Sequence, residues 1–159
     1  MIARRSFLGA AAAASTLALL PARVAFAAEG TFPVTLTEAE WRARLTPDQF
    51  LILRENATEA QFSSPLQEEF RDGLYHCVGC DAALYSSDQK FPSDSGWAAF
   101  SKAIDGAVGI GPDPKYGALL QEVHCATCGG HHAHIFNDGP EPLGTRHCVN
   151  GLVLDFRPA

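Results

Sequence analysis

The chain has 159 residues, with twelve Lys or Arg against eighteen Asp or Glu and a formal net charge of −6 at pH 7. That length holds one domain of ordinary size. The acidic balance weighs against nucleic acid and anionic membrane as partners, since both repel such a surface.

The first 27 residues are expected to lie outside the domain. "MIARRSFLGAAAAASTLALLPARVAFA" starts basic at Arg4 and Arg5, runs apolar from Phe7 to Leu20 and closes on Ala25-Phe26-Ala27. This is the three-part layout of an export signal cleaved after Ala27. The apolar run is too short to hold a bilayer, so no membrane anchor is expected after cleavage. Arg4-Arg5 ahead of Ser6-Phe7-Leu8 resembles a twin-arginine signal, which exports folded proteins from the bacterial cytoplasm and implies the periplasm. A protein folded before export can take up a metal while its thiols are still reduced. Losing the segment removes three arginines and no acids, leaving nine basic residues against eighteen acidic ones, a net charge of −9.

Residues 28–36 read as a linker and 37–159 as a single domain. Thr37 opens "TLTEAEWRARL" and Thr46 opens "TPDQFLILREN". In each, a threonine stands ahead of acidic residues as a helix N-cap does, and Pro47 suits a first helical position. "SSPLQEEF" (63–70) repeats the Ser-Pro opening on a shorter scale. The first third of the domain is expected to be helical, with Trp41, Leu45, Phe50, Leu51 and Leu53 buried.

From Gly73 the texture changes. "GLYHC", "AALYS", "GWAAF", "AVGIG", "GALLQEVHC", "HHAHIF" and "HCVNGLVLDF" are short apolar or alternating runs punctuated by Gly, Pro, Asp and Ser. Length and alternation fit strands, and the punctuation fits turns. The fold class is therefore mainly β (α+β): a small antiparallel β domain with a helical N-terminal flap.

Cys77 and Cys80 form one C-x-x-C unit, Cys125 and Cys128 a second, with 44 residues between them. Two intervening residues let both sulfurs of a unit point the same way from a tight turn, and four thiolates meet the tetrahedral demand of a structural Zn²⁺. Gly79 and Gly129-Gly130 relax the backbone at those turns. Disulfides are the competing reading, because the expected destination is oxidising.

Cys148, in "GTRHCVNG", is left over. A buried, inert cysteine is the ordinary explanation for a lone thiol. Against it, Arg146 and His147 precede it, and a cation near sulfur favours the nucleophilic thiolate. Asn150 would share its strand face and offer an amide. Upstream, "GGHHAHIFNDGP" holds three histidines and Asp138. His132 and His134 would share one strand face, with His131 opposite unless the chain bends. Such a group can supply a general acid near neutral pH or be no more than a surface histidine patch.

Together "KFPSDSGWAAF", "HCATCGGHHAHIFNDGP" and "GTRHCVNGLVLDF" resemble the B-type peptide methionine sulfoxide reductases. That family reads approximately K-F-D-S-G-C-G-W-P-S-F, C-x-x-C-x-x-H-L-G-H-V-F-x-D-G-P and R-Y-C-[IV]-N in the same order, with a C-x-x-C upstream. The resemblance runs from about Leu74 to Phe156. It implies two antiparallel β-sheets with short peripheral helices, a structural zinc on Cys77, Cys80, Cys125 and Cys128, and Cys148 as the nucleophile toward methionine-R-sulfoxide. It also implies His134, with His131, as the acid, and Asn150, Arg146 and Asp138 at polar positions of the site. Trp97 would receive the substrate methyl, with Phe136 nearby. The partners implied are oxidised methionine in peptides or proteins and a thioredoxin-like or other thiol reductant, acting on a monomer.

The chain departs from that pattern at several places. Ser95, after Asp94, stands where the commonest resolving cysteine would be, which implies that an external thiol regenerates Cys148 directly. His147 replaces tyrosine, Ala98-Ala99 replace Pro-Ser, His132-Ala133 replace Leu-Gly, and Leu120 removes a charge. Met1 is the only methionine. Two other readings keep the same fold: a zinc-stapled binding module without turnover, supported by Ser95, and a redox sensor in which oxidation of Cys148 alters a partner contact.

Overall fold

The computed structural model describes residues 30–159, so the export segment read from the sequence lies outside the described residues. Two short helices come first, α1 (Glu38–Arg44) and α2 (Pro47–Glu55). Both begin as the sequence suggests and more completely. Thr37 accepts from the Glu40 N–H while the Glu40 side chain accepts from the Thr37 N–H, and Thr46 and Gln49 repeat this reciprocal box. Each box satisfies two donors that the helix start leaves free. Trp41, Leu45, Phe50 and Leu53 are buried as expected, but Leu51 is 41% exposed and Ile52 is buried in its place. At about 100° per residue, positions 50, 52 and 53 fall in one arc and position 51 faces away. Helix covers less of the first third than expected. After Asn56, which closes α2 at a left-handed φ of 51°, the chain is irregular up to a 3-10 turn at Pro65–Glu68.

The strands are β1 (Gly73–Cys77), β2 (Ala83–Ser86), β3 (Lys90–Phe91), β4 (Ala98–Phe100), β5 (Val108–Asp113), β6 (Gly117–Cys125), β7 (His131–Phe136), β8 (Arg146–Val149) and β9 (Leu154–Pro158). They form two antiparallel sheets, one in the order β2-β1-β9 and one in the order β3-β4-β8-β7-β6-β5. The mainly β, two-sheet architecture with short N-terminal helices is the one the sequence implied.

Register fixes which side chains share a face of the larger sheet. Ala98, Val149, Ala133 and Val123 are mutual neighbours along one row, and all are fully buried. That face is core: α2 packs over the start of β7, and a Cβ on Gly130 would come within 2.8 Å of Leu53 Cδ2. The next row presents the opposite face and reads Ala99, Cys148, His134, Glu122. A single residue step along each strand thus separates a hydrocarbon row from a chemical one.

Residues 32–36, read as part of a linker, lie against the domain. The Val34 N–H donates to the Thr127 carbonyl (2.9 Å), Phe32 meets the His124 ring edge-on at 5.8 Å, and Val34 and Leu36 pack on the core.

Candidate active site and metal centre

Cys148 and His134 are direct cross-strand partners on β8 and β7, and Glu122 on β6 is the partner of His134. Side chains so paired stand close enough to interact. β7 then bulges. Ala133 pairs with Val123, but the next pairing joins His131 to His124, so His132 is an extra residue in the strand. Strict alternation would send His131 to the face opposite His134; the bulge instead brings their rings to 4.9 Å. His132, expected on the His134 face, turns away into the interior.

Each of the paired histidines is held by a carboxylate. His131 Nδ1 donates to Glu122 Oε1 (2.8 Å), and His134 Nε2 donates to Asp113 Oδ2 (2.7 Å). Asp113, at the end of β5, also accepts from the N–H groups of Lys115 (2.6 Å) and Tyr116 (2.8 Å) and from Asn56 Nδ2 (3.3 Å). Burial alone would raise its pKa, but these donors win and hold the carboxyl below its ordinary value. With Nε2 committed to Asp113, Nδ1 is the His134 ring nitrogen left for other chemistry. His131 is fully buried, and desolvation lowers its pKa against the pull of Glu122. It is a neutral ring whose Nε2 has no partner.

Cys148 is half-buried. Burial pushes its thiol pKa up, while Arg146 and the Ser95 hydroxyl oppose that shift and Asp138 adds to it. Ser95 Oγ lies 3.9 Å from the sulfur and accepts from Ser93 Oγ (3.0 Å). Arg146 shares the Cys148 face of β8, two residues away. Its guanidinium forks onto Asp138 with two 2.8 Å bonds and lies 4.6 Å over the Phe136 ring, leaving Nη1 buried and unpartnered. His147 does not act as the neighbouring cation. It lies on the opposite face against Tyr85 (3.2 Å), and burial drops its pKa to about 4.

Trp97 and Asn150 are fastened by a residue that the sequence analysis passed over, Glu59. Its backbone N–H donates to Asn150 Oδ1 (2.9 Å), and its carbonyl accepts from Trp97 Nε1 (3.3 Å). Its buried carboxylate accepts from the N–H groups of Gly151 and Leu152, both at 2.8 Å. Asn150 Nδ2 donates in turn to the His132 carbonyl (3.1 Å). Both ends of the Asn150 amide are thereby engaged, and these bonds shape the loop after Cys148. Trp97 precedes β4 by one residue, two before Ala99, the partner of Cys148.

Glu59, Asp113 and Glu122 were all missed. For Glu122 a signal existed, since alternation along "LLQEVHC" sets an acid beside His124 on the strand face opposite Val123 and Cys125. Glu59 and Asp113 sit in unpatterned segments and carry none.

The four paired cysteines converge. Their sulfurs all lie within 4.8 Å of one another, with Cys77 to Cys128 at 3.8 Å and Cys80 to Cys125 at 3.5 Å. A tetrahedral Zn²⁺ with bonds of about 2.3 Å needs sulfurs about 3.8 Å apart, so the donor set fits a thiophilic cation of that size. The two turns are built alike. Asp81 N–H donates to the Cys77 carbonyl and Gly129 N–H to the Cys125 carbonyl, both at 2.8 Å. Cys77 and Cys125 then donate to the carbonyls of Ala82 and Gly130, both at 2.9 Å. The left-handed positions are Asp81 (φ 69°) and Gly129 (φ 67°). Gly79 is not one of them; its use is closeness, since a Cβ there would stand 3.3 Å from Leu53 and 3.5 Å from the Cys77 sulfur. All five cysteines are free thiols, so the disulfide alternative does not hold in this structure.

The fold and site define a class: a two-sheet β protein with four clustered cysteines that could hold a metal ion, and one further thiol facing two carboxylate-backed imidazoles. Comparison with known proteins identifies the family. The SelR domain matches residues 45–158. The chain is 43% identical over 126 residues to the peptide methionine sulfoxide reductase MsrB of Agrobacterium fabrum, covering 79% of this chain and 93% of that one. It is 44% identical over 123 residues to the MsrB of Pseudomonas entomophila (77% and 94%) and 41% over 127 residues to that of Leptospira interrogans (79% and 97%). The chain belongs to the SelR-domain family of peptide methionine sulfoxide reductases.

Proposed function

We propose that the protein reduces methionine-R-sulfoxide, in peptides or proteins, to methionine at Cys148. The observation that carries this reading is the cross-strand pairing of Cys148 with His134, both histidines being held by carboxylates. A sulfoxide sulfur becomes electrophilic only when its oxygen is protonated or strongly hydrogen-bonded, so a nucleophile and a proton donor must meet at one point.

In this reading Trp97 and Phe136 receive the methyl and thioether end of the substrate. Cys148 passes its proton to His134 Nδ1 as the substrate arrives, with Arg146 and Ser95 supporting the thiolate. The sulfur attacks the sulfoxide sulfur while His134 delivers a proton from Nδ1 to the oxygen, Asp113 supplying the counter-charge behind the ring. Neutral His131, whose proton is on Nδ1 toward Glu122, offers its Nε2 lone pair as acceptor to the oxygen once His134 has protonated it. The protonated oxygen then shifts to the Cys148 sulfur as the S–O bond and the transient S–S bond break, leaving Cys148 a sulfenic acid and releasing methionine. Asn150, through Glu59, keeps the loop in place. The Cys77, Cys80, Cys125 and Cys128 thiolates hold one Zn²⁺ whose contribution is structural, because four protein ligands leave no open position.

Ser95, at 3.9 Å from the sulfur, cannot form a disulfide. An external thiol therefore condenses with the sulfenic acid, releasing water and giving a mixed disulfide; a second thiol frees Cys148. The thioredoxin-like donor, the monomeric state, cleavage after Ala27 and action in the periplasm complete the proposal. The test is dithiothreitol-driven reduction of the separated sulfoxide epimers. Wild type is expected to turn over the R epimer alone, with Cys148→Ser inactive. Turnover of neither epimer, with Cys148 still oxidised by peroxide, would favour the redox-sensor reading; turnover by Cys148→Ser would end the present one.

A further inference from the structure

His132 is the one histidine of its cluster that the proposed reaction does not use. It stands where the family pattern has leucine. Its ring is completely buried, with Nε2 3.2 Å from the Cys77 sulfur and Nδ1 lacking any partner. We propose that His132 is part of the metal centre: a positioning residue whose Nε2–H donates a hydrogen bond to the metal-bound Cys77 thiolate.

The choice of nitrogen follows from the two contacts. A neutral imidazole carries one N–H and one lone pair. A proton on Nδ1 would bury a donor with no acceptor and turn the Nε2 lone pair onto the sulfur. A proton on Nε2 points the donor at the sulfur and leaves only an unmatched acceptor, the cheaper fault. The need is electrostatic, since four thiolates on a divalent cation keep two net negative charges in a buried site. The Thr127 N–H, 3.4 Å from the Cys125 sulfur, is one donor placed against that charge. His132 is a further one, on the opposite unit, where the Ala82 N–H also meets Cys80. The Arg54 guanidinium interacts with Cys128 and Cys77. Donors of this kind fix the orientation of a ligand and strengthen its hold on the metal.

The same residue reaches the active site through its backbone. The His132 carbonyl accepts from both the Asn150 N–H (2.9 Å) and Asn150 Nδ2 (3.1 Å). The bulge that turns His132 toward Cys77 also brings His131 beside His134. One residue therefore ties the metal centre to the loop that follows Cys148.

The inference rests on the metal reading, and the two are tested apart. Metal content of the wild-type protein tests the reading, and less than one zinc per chain overturns both. With zinc-loaded wild type, His132→Leu and His132→Gln in hand, release of zinc to an excess of a chromophoric chelator is followed. His132→Leu is expected to release it about tenfold faster, with His132→Gln, which keeps an N–H, nearer wild type. Equal rates in folded variants overturn the proposal. Should His132→Leu not fold, wild type loaded with ¹¹³Cd decides. A His132 Nε2 proton coupled to the metal through the sulfur is expected, and a ring protonated at Nδ1 is the contrary result.

Discussion

Asp138 acts on Cys148 in two ways that point in the same direction. Its charge raises the thiol pKa, and its fork competes for the guanidinium that lowers it. Alkylation of Cys148 by iodoacetamide should therefore rise with pH through and above the ordinary thiol range, because burial holds the proton on sulfur. Asp138→Asn should move the midpoint down and speed the reaction severalfold at pH 7. Arg146→Met should move it up and slow the reaction. The opposite order would show that the guanidinium does not face the sulfur. At this scale the sequence singled out Cys148, His131, His134, Arg146 and Asp138 from chemistry and motif. It mistook His147 for a helper, because adjacency along a strand puts a residue on the other face. Nor could it find Asp113, which reaches His134 from 21 residues away only after β5, β6 and β7 have paired.

Among the elements, the helix starts were legible because a capping box is written in four consecutive residues. The bulge in β7 was not, since it arises from how β6 and β7 settle against each other. It decides which two of three histidines meet. The irregular segment after α2 was equally opaque, yet Glu59 within it joins Trp97 to the Asn150 loop. Removing its carboxylate strands two N–H donors, that of Gly151 buried and that of Leu152 part-buried. At about 1–3 kcal/mol each, Glu59→Ala should cost about 3 kcal/mol in urea unfolding. Burial also raises the Glu59 pKa, with the Leu152 and Gly151 N–H groups opposing. An acid whose folded pKa is raised stabilises most when protonated, and that part is lost as pH climbs through the folded value. Wild type should therefore gain on Glu59→Gln as pH is lowered. A gap that does not change with pH would mean that Glu59 titrates alike in folded and unfolded chains.

For the whole molecule, the four cysteines matter because of where their turns lie. Cys77 and Cys80 flank the turn from β1 to β2 in the small sheet, and Cys125 and Cys128 the turn from β6 to β7 in the large one. A metal held by the four sulfurs would tie the two sheets together. Cys77→Ser should lose the metal and lower the melting temperature by roughly 10 °C or more, given how much free energy a structural zinc contributes to folding. An unchanged melting curve would show that the sheets hold without it. The most direct test of the central claim uses the intact, metal-loaded protein without reductant. It is mixed with methionine-R-sulfoxide for one turnover, with dimedone present to trap sulfenic acid, and then examined by mass spectrometry. One methionine released per chain, with the dimedone adduct on Cys148 and the other four cysteines unmodified, is the predicted result. Methionine formed with Cys148 untouched, or with Cys148 joined to another cysteine of the chain, would contradict it.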